Sequence, residues 1–404
     1  MTTGIFDGLA DLRFDASLNS FQDLVTYWID SNDRGKTSGK KIAAKSPLTP
    51  AEPILAGGAL PFDLLNHENM VHSILKGHTN LHHQAVEAGI SPEFDPWNLV
   101  MLGSVLSDSS SPVFNMMTAA LGGFDDQLTK SFQIASRAKS LPLRFWEVPR
   151  YEPEAEKWAL SFLEQELKQL FNWIQHETAN RIDDEKLSES IHNCNLVRQD
   201  MLTLNSYLSG SIIPIPALEY YIVQMLTGDC GMDPLAFHNK FAGMLNELKS
   251  RIDSGFTIPN VVSSPVRVYI CGNESQELSL FNAIEDYGGC LVGCDFMLPA
   301  YYRLIDENNS PLRSLADWVW RMPNNMSILQ RLEAEVEAIK MQKPDAVIIC
   351  SLVGSRSIPG AERMVRDTVR ESLSLPTLSI ETTLPRENTE KIDYQVRAFM
   401  EMVR

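Results

Sequence analysis

The chain has 404 residues, with 35 Lys+Arg against 52 Asp+Glu and a formal charge of −17. At about 150 residues per domain, that length fits two or three domains. A hydrophobic share of 44% and a charged share of 22% exclude global disorder, and so acidic a surface repels phosphate backbones and argues against nucleic acid as a partner.

The N-terminal residues MTTGIFDGLADLRFD lack the basic flank and apolar core of a secretory signal. Phe21 to Trp28 fits one amphipathic helix, and the basic, Pro-bounded stretch from Gly35 to Pro50 reads as a loop or arm. GKTSGK lacks the spacing of a phosphate-binding P-loop. Residues 1–48 are therefore expected to be an N-terminal helix and arm.

From Glu52 a βα rhythm begins. Pro53 to Gly58, Trp97 to Leu106 and Leu141 to Val148 are short or near-continuous apolar runs, separated by helix-length stretches. Such runs suit strands buried on both faces of a parallel sheet, so residues 49–150 are expected to form a first α/β domain. Between Pro153 and Arg251 the period changes. Trp158, Phe162, Leu163, Leu167, Leu170, Phe171 and Ile174 recur every three or four residues, the stripe of a long amphipathic helix. Asp183 and Asp184 start a second one, and residues 151–264 are expected to be a helical layer.

Strands return at Val266. Arg267 to Cys271, Gly289 to Val292, Asp345 to Leu352 and Pro376 to Ile380 alternate with helices around Trp318, from Ile328 to Met341 and from Ile392 to Met402. Residues 265–404 read as a second α/β domain. The expected fold is thus α/β, with two doubly wound, Rossmann/flavodoxin-like parallel sheets joined by a helical layer.

No apolar run reaches the roughly 20 residues that cross a bilayer, so no membrane partner is expected. The six cysteines, at 194, 230, 271, 290, 294 and 350, form no disulfide framework for a chain this long and point to a reducing, cytoplasmic compartment. Two thiols with three residues between them, Cys290 and Cys294, are too few for an iron–sulfur cluster and read as core residues. Five of the eight histidines fall between His67 and His83. His67-Glu68-Asn69-Met70-Val71-His72 is not the zinc motif H-E-x-x-H, and His78 with His82 lacks a third ligand.

In doubly wound sheets ligands bind beyond the carboxyl ends of the strands. Three polar tails follow expected strands: Ser107-Asp108-Ser109-Ser110-Ser111, Ser351 to Ser357, and Gly272-Asn273-Glu274-Ser275. Their exposed amides suit a carboxylate, phosphate or thioester oxygen. Capping of the following helices is the plainer use of the same residues.

The ordered set of local patterns resembles the 2-hydroxyacyl-CoA dehydratase and benzoyl-CoA reductase subunit family, from about residue 45 to the C-terminus. The residues that carry the likeness are Pro50-Ala51-Glu52, Ala56-Gly57-Gly58 with Pro61, Arg181 to Leu187, and Asn195-Leu196-Val197-Arg198. Further on they are Ile284-Glu285 before Gly288-Gly289, Asp345 to Ile348, Ser351-Leu352, Gly360-Ala361-Glu362 and Pro376-Thr377-Leu378. The resemblance implies paired subunits, an acyl-CoA substrate held beside a [4Fe-4S] cluster, and an ATP-hydrolysing activator that injects an electron so that water leaves through a ketyl radical. It implies three cysteine ligands per cluster. In its register these fall on Leu81, eight residues before Gly89, on Ser107, seven before Phe114, and on Ser355. None carries sulfur, and serine is a hard, poorly ionised ligand. It also implies an acid–base glutamate, best matched by Glu68.

The expectation is therefore the cluster-free half of a heteromeric dehydratase, eliminating water from an acyl-CoA, with no cofactor of its own. The [4Fe-4S] cluster would sit in a related, cysteine-bearing subunit. Catalysis would involve Glu68, and Leu81, Ser107, Asp108, Asn273 and Ser355 would line the pocket. The alternatives are a benzoyl-CoA reductase-like subunit, an enzyme that kept the thioester pocket but changed its chemistry, and a non-catalytic assembly protein on the same fold.

Overall fold

The computed structural model describes residues 12–75, 78–107, 112–121, 126–256, 258, 264–272, 277–295, 299–355, 362–382 and 389–404. It contains two four-stranded parallel sheets. The first is built from β1 (Ile42–Lys45), β2 (Leu60–Asp63), β3 (Met116–Leu121) and β4 (Leu143–Glu147), in the order β2-β1-β3-β4. The second uses β5 (Val266–Cys271), β6 (Gly289–Cys294), β7 (Ala346–Leu352) and β8 (Thr377–Thr382), in the order β6-β5-β7-β8. All neighbouring strands run parallel. Each sheet thus follows the same winding, and its first and third strands, where the connections change direction, lie at the centre.

The two sheets are joined by the long helices Glu156–Thr178, Asp184–Leu208 and Pro234–Asp253. The Asp183 side chain accepts from the amide of Lys186 and starts the second of these, as an N-cap should. Leu163, Leu167, Leu170 and Ile174 on the first are buried, which is the 3.6-residue stripe read from the sequence. Met201, Leu204 and Leu208 pack with Phe237, Phe241 and Met244 into one core that continues under β5 and β6. No described helix is long and apolar enough to cross a membrane.

Three stretches differ from the sequence reading. Gly35 to Pro50 is not merely a loop or arm: Ile42–Lys45 is a central strand of the first sheet, buried at all four positions. Pro53 to Gly58 is not a strand. Glu52–Ala56 is a short helix with Pro53 in its first turn, ended by Gly58 at φ +74°, and the strand follows at Leu60–Asp63. Trp97 to Leu106 is a helix, Pro96–Leu106, whose start is fixed by the Asp95 side chain accepting from the amides of Trp97 and Asn98. Every residue from Trp97 to Val105 is buried, so the run is apolar because the helix is enclosed on all sides.

Candidate active site at the carboxyl ends of both sheets

A cavity of about 270 Å³ lies between the two sheets. The strand ends supply its walls. Lys45 and Asp63 are the last residues of β1 and β2, Ala120 is near the end of β3, Asp295 directly follows β6, and Ser355 lies three residues beyond β7. The helix Asp184–Leu208 contributes Cys194, Val197 and Arg198, and the turn after Ala217–Leu226 contributes Thr227 to Cys230. This is the place where open parallel sheets bind ligands.

Two of the patterns quoted above meet on its wall. The Arg198 guanidinium forms an ion pair with the Glu52 carboxylate, whose side chain is 1% exposed. Arg198 also donates to Asn195 Oδ1 at 3.0 Å and lies over the Trp318 ring at 4.3 Å. The Asn195 amide is fixed in turn by Ile305, donating to its carbonyl at 2.8 Å and accepting from its amide at 3.0 Å. Pro-x-Glu and Asn-x-x-Arg are thus two halves of one clasp that ties the helical layer to the first sheet.

A second buried pair lies beside it. Lys45 Nζ is 3.3 Å from Asp63 Oδ2, and both side chains are at most 3% exposed. Asp229 completes the group. It accepts from the Trp28 indole at 2.8 Å, the Asp63 amide at 3.0 Å and the Gly231 amide at 3.1 Å. Burial, with Asp63 alongside, lifts the Asp229 carboxyl above its ordinary range against the pull of His67 and Lys45. On the opposite wall the Gly272 amide donates to Asp295 Oδ2 at 2.8 Å. A Cβ on Gly272, at φ +73°, would come 2.4 Å from the Cys350 carbonyl oxygen, so only glycine lets β5 turn here. Burial and the adjacent Asp295 push the Glu335 carboxyl well up, against the attraction of Arg331.

Of the residues named from the sequence, Ser355 lines this cavity. Leu81, Ser107 and Glu68 are not among its lining residues, and Asp108 and Asn273 lie outside the described residues. Leu81 instead packs its backbone against Gly103, where an added Cβ would come 1.9 Å from the Leu81 carbonyl oxygen. Ser107 closes the C-terminal end of the helix Pro96–Leu106. Gly354 abuts Pro96, at the opposite end of that helix. Eleven residues at 1.5 Å each separate the two ends by roughly 16 Å, so Ser107 stands at the end of the helix away from the cavity-lining Trp97.

Glu68, on the helix Leu64–Leu75, is buried behind the cavity wall. His67 Nδ1 lies 3.0 Å from one carboxylate oxygen and His72 Nε2 3.4 Å from the other, and the Ser104 hydroxyl donates to it as well. Burial alone would raise its pKa, but these hydrogen bonds hold it down to about 2. A carboxylate so saturated is a poor proton acceptor at neutral pH. The His67 ring is held between Trp28 and Phe62, with centroids 4.6 Å from each.

The residues present do not fit the [4Fe-4S] cluster that the family resemblance implies. Of Leu81, Ser107 and Ser355, only Ser355 lines the cavity, and none offers sulfur. Two thiols do line the cavity, Cys194 and Cys230. Burial together with Glu52 raises the first thiol's pKa, and burial together with Asp229 the second's. No three described His, Cys, Asp or Glu residues are grouped as a metal site. All six cysteines are buried and unbridged.

Sequence reading missed Lys45, Asp63, Asp229 and Asp295. Lys45 lay in the supposed arm. Asp63 and Asp295 each end an apolar run, a position that marks a site only once the strand is recognised. A family model described as "2-hydroxyglutaryl-CoA dehydratase, D-component" matches residues 48–403. No curated protein matches the chain.

Proposed function

The chain belongs to the 2-hydroxyglutaryl-CoA dehydratase D-component family, and from that premise we propose that it is the cluster-free subunit of a heteromeric, dehydratase-like enzyme. Its cavity would receive the acyl thioester of a CoA ester. A related subunit bearing the cysteines would carry the [4Fe-4S] cluster, supplied with electrons by an ATP-hydrolysing activator. The observation that carries this reading is the Glu52–Arg198 clasp at the carboxyl ends of both sheets. There two of the family's patterns build one wall of one pocket.

The cavity, at about 270 Å³, lies just below the ~300–1,000 Å³ usual for small-molecule sites. It suits an acyl head and its thioester, with the nucleotide end of CoA left outside. Val197, Leu48, Met322 and Trp318 give it apolar surface, which excludes water from the thioester. In the overall elimination a hydroxyl leaves one carbon and a proton leaves its neighbour, giving water and an enoyl thioester. Lys45 and Arg198 are two of the three cations that line the pocket, where each would polarise a thioester oxygen while keeping its carboxylate partner. The missing thiols equally favour a non-catalytic assembly protein that kept the pocket's shape.

Equilibrium dialysis of the full chain against a short acyl-CoA distinguishes these readings. Saturable binding is expected, abolished by Ser355→Trp, which fills the cavity, and kept by Ser107→Trp at the far end of its helix. Absence of saturable binding would leave the assembly reading. Anaerobic incubation with iron and sulfide tests the cofactor claim, and uptake of about four irons per chain would overturn it.

A further inference from the structure

Two of the three cations around the cavity are already paired with buried carboxylates. Three cations line it: Lys45, Arg198 and Arg331. Lys45 is paired with Asp63 and Arg198 with Glu52, while Arg331 lies beside the buried Glu335. Asp95, Asp229 and Asp295 face the same space. Lining carboxylates therefore outnumber lining cations, five to three. The backbone amides that would otherwise receive an anion are also taken by protein carboxylates. Asp95 holds the amides of Trp97 and Asn98, Asp229 those of Asp63 and Gly231, and Asp295 that of Gly272.

An incoming carboxylate would have to break one of the two buried ion pairs and strand its acidic partner, or settle by Arg331 beside Glu335 and Asp295, among lining carboxylates that outnumber the cations. Either is a strong penalty in a low-dielectric pocket, and specificity built from such repulsion is a common device. An uncharged chain meets no such obstacle, because Leu48, Val197, Met322 and Trp318 offer it apolar contacts.

We infer that the cavity selects uncharged acyl groups, and rejects those with a free distal carboxylate such as the hydroxyglutaryl group in the family model's description. This rests on the acyl-CoA reading of the cavity. It deepens that reading by assigning the substrate class to the Lys45–Asp63 and Arg198–Glu52 pairs.

The test is calorimetric titration of the full chain with butyryl-CoA and with glutaryl-CoA at one salt concentration. Butyryl-CoA is expected to bind at least about tenfold more tightly. Asp63→Asn keeps the shape of the side chain but frees Lys45, and should shift the ratio toward glutaryl-CoA by about fivefold or more. Glu52→Gln does the same for Arg198 and serves if the first variant does not fold. Equal or tighter binding of glutaryl-CoA by the unaltered chain would overturn the inference while leaving the acyl-CoA reading intact. So would a ratio that neither variant moves. If neither thioester binds, the acyl-CoA reading fails and the inference fails with it.

Discussion

Replacing Arg198 by Met removes one end of the clasp while keeping most of the side chain's bulk. Glu52 is 1% exposed and Arg198 11%, so the variant strands a buried carboxylate. Breaking such a pair costs about 3–5 kcal/mol. The hydrogen bond to Asn195 adds little, because Asn195 Oδ1 still accepts from the Ile305 amide, and Met retains contact with the Trp318 ring. Taking about 4 kcal/mol and a urea m-value of about 2 kcal/mol/M, the midpoint of unfolding should fall by roughly 2 M. Tryptophan fluorescence against urea measures it, since Trp318 stacks on the replaced group. The double variant Glu52→Gln with Arg198→Met, uncharged at both ends, should recover to within about 1 kcal/mol of the unaltered chain. A single variant that loses less than about 1 kcal/mol, or a double variant as unstable as the single, would refute the view that the buried charge pair holds these elements together.

Glu68→Gln should cost about 3 kcal/mol at pH 7, from a carboxyl lowered from 4.5 to about 2 at 1.36 kcal/mol per unit. A lowered folded-state pKa gives stability that is present above pH 4.5 and lost as pH falls toward 2, so urea curves for the two proteins should converge over that window rather than stay parallel. Glu219 is the opposite case. Burial raises it to about 8, so its contribution is full below pH 4.5 and lost as pH rises through 8, and Glu219→Gln should flatten the decline in melting temperature expected of the unaltered chain over that window. Gly103→Ala would set a Cβ 1.9 Å from the Leu81 carbonyl oxygen and force two helices apart. A loss of about 1–3 kcal/mol or more is expected, and an unchanged melting temperature would mean that the helices do not approach as described.

The second sheet was legible because its strands are long and rich in β-branched residues. Val347, Ile348 and Ile349 in β7 admit hardly any other reading. The first sheet was largely hidden. β1 is Ile-Ala-Ala-Lys and β2 is Leu-Pro-Phe-Asp, four residues each, too short and too poor in β-formers to stand out. Their places are fixed by tertiary packing between β3 and the flanking helices. The reverse error at Trp97 to Leu106 had a visible remedy. Asp95-Pro96 is an N-cap followed by a helix-starting proline, and ten residues is long for a strand. The patterns containing Glu52 and Arg198 were also readable. That they form one clasp was not, because 146 residues separate them and nothing in the local sequence of either names its partner.

Reading Trp97 to Leu106 as a strand put a candidate site at the wrong end of that segment, for a geometric reason. In a parallel sheet each connecting helix runs back against its strands, so its N-terminus starts near their carboxyl ends and its C-terminus finishes near their amino ends. Asp95 and Trp97, at the start of the helix Pro96–Leu106, line the cavity. Ser107, at its end, caps the opposite terminus of that helix and is not among the cavity's lining residues. Read as the tail of a strand, the same serine would belong in the cavity. Residues that end strands or follow them by no more than three positions, namely Lys45, Asp63, Asp295 and Ser355, are the ones the fold delivers there. The chemistry available to the site is therefore set by what stands at those positions. In this chain it is a lysine, two carboxylates and a hydroxyl, matched in charge to their neighbours, and no thiol.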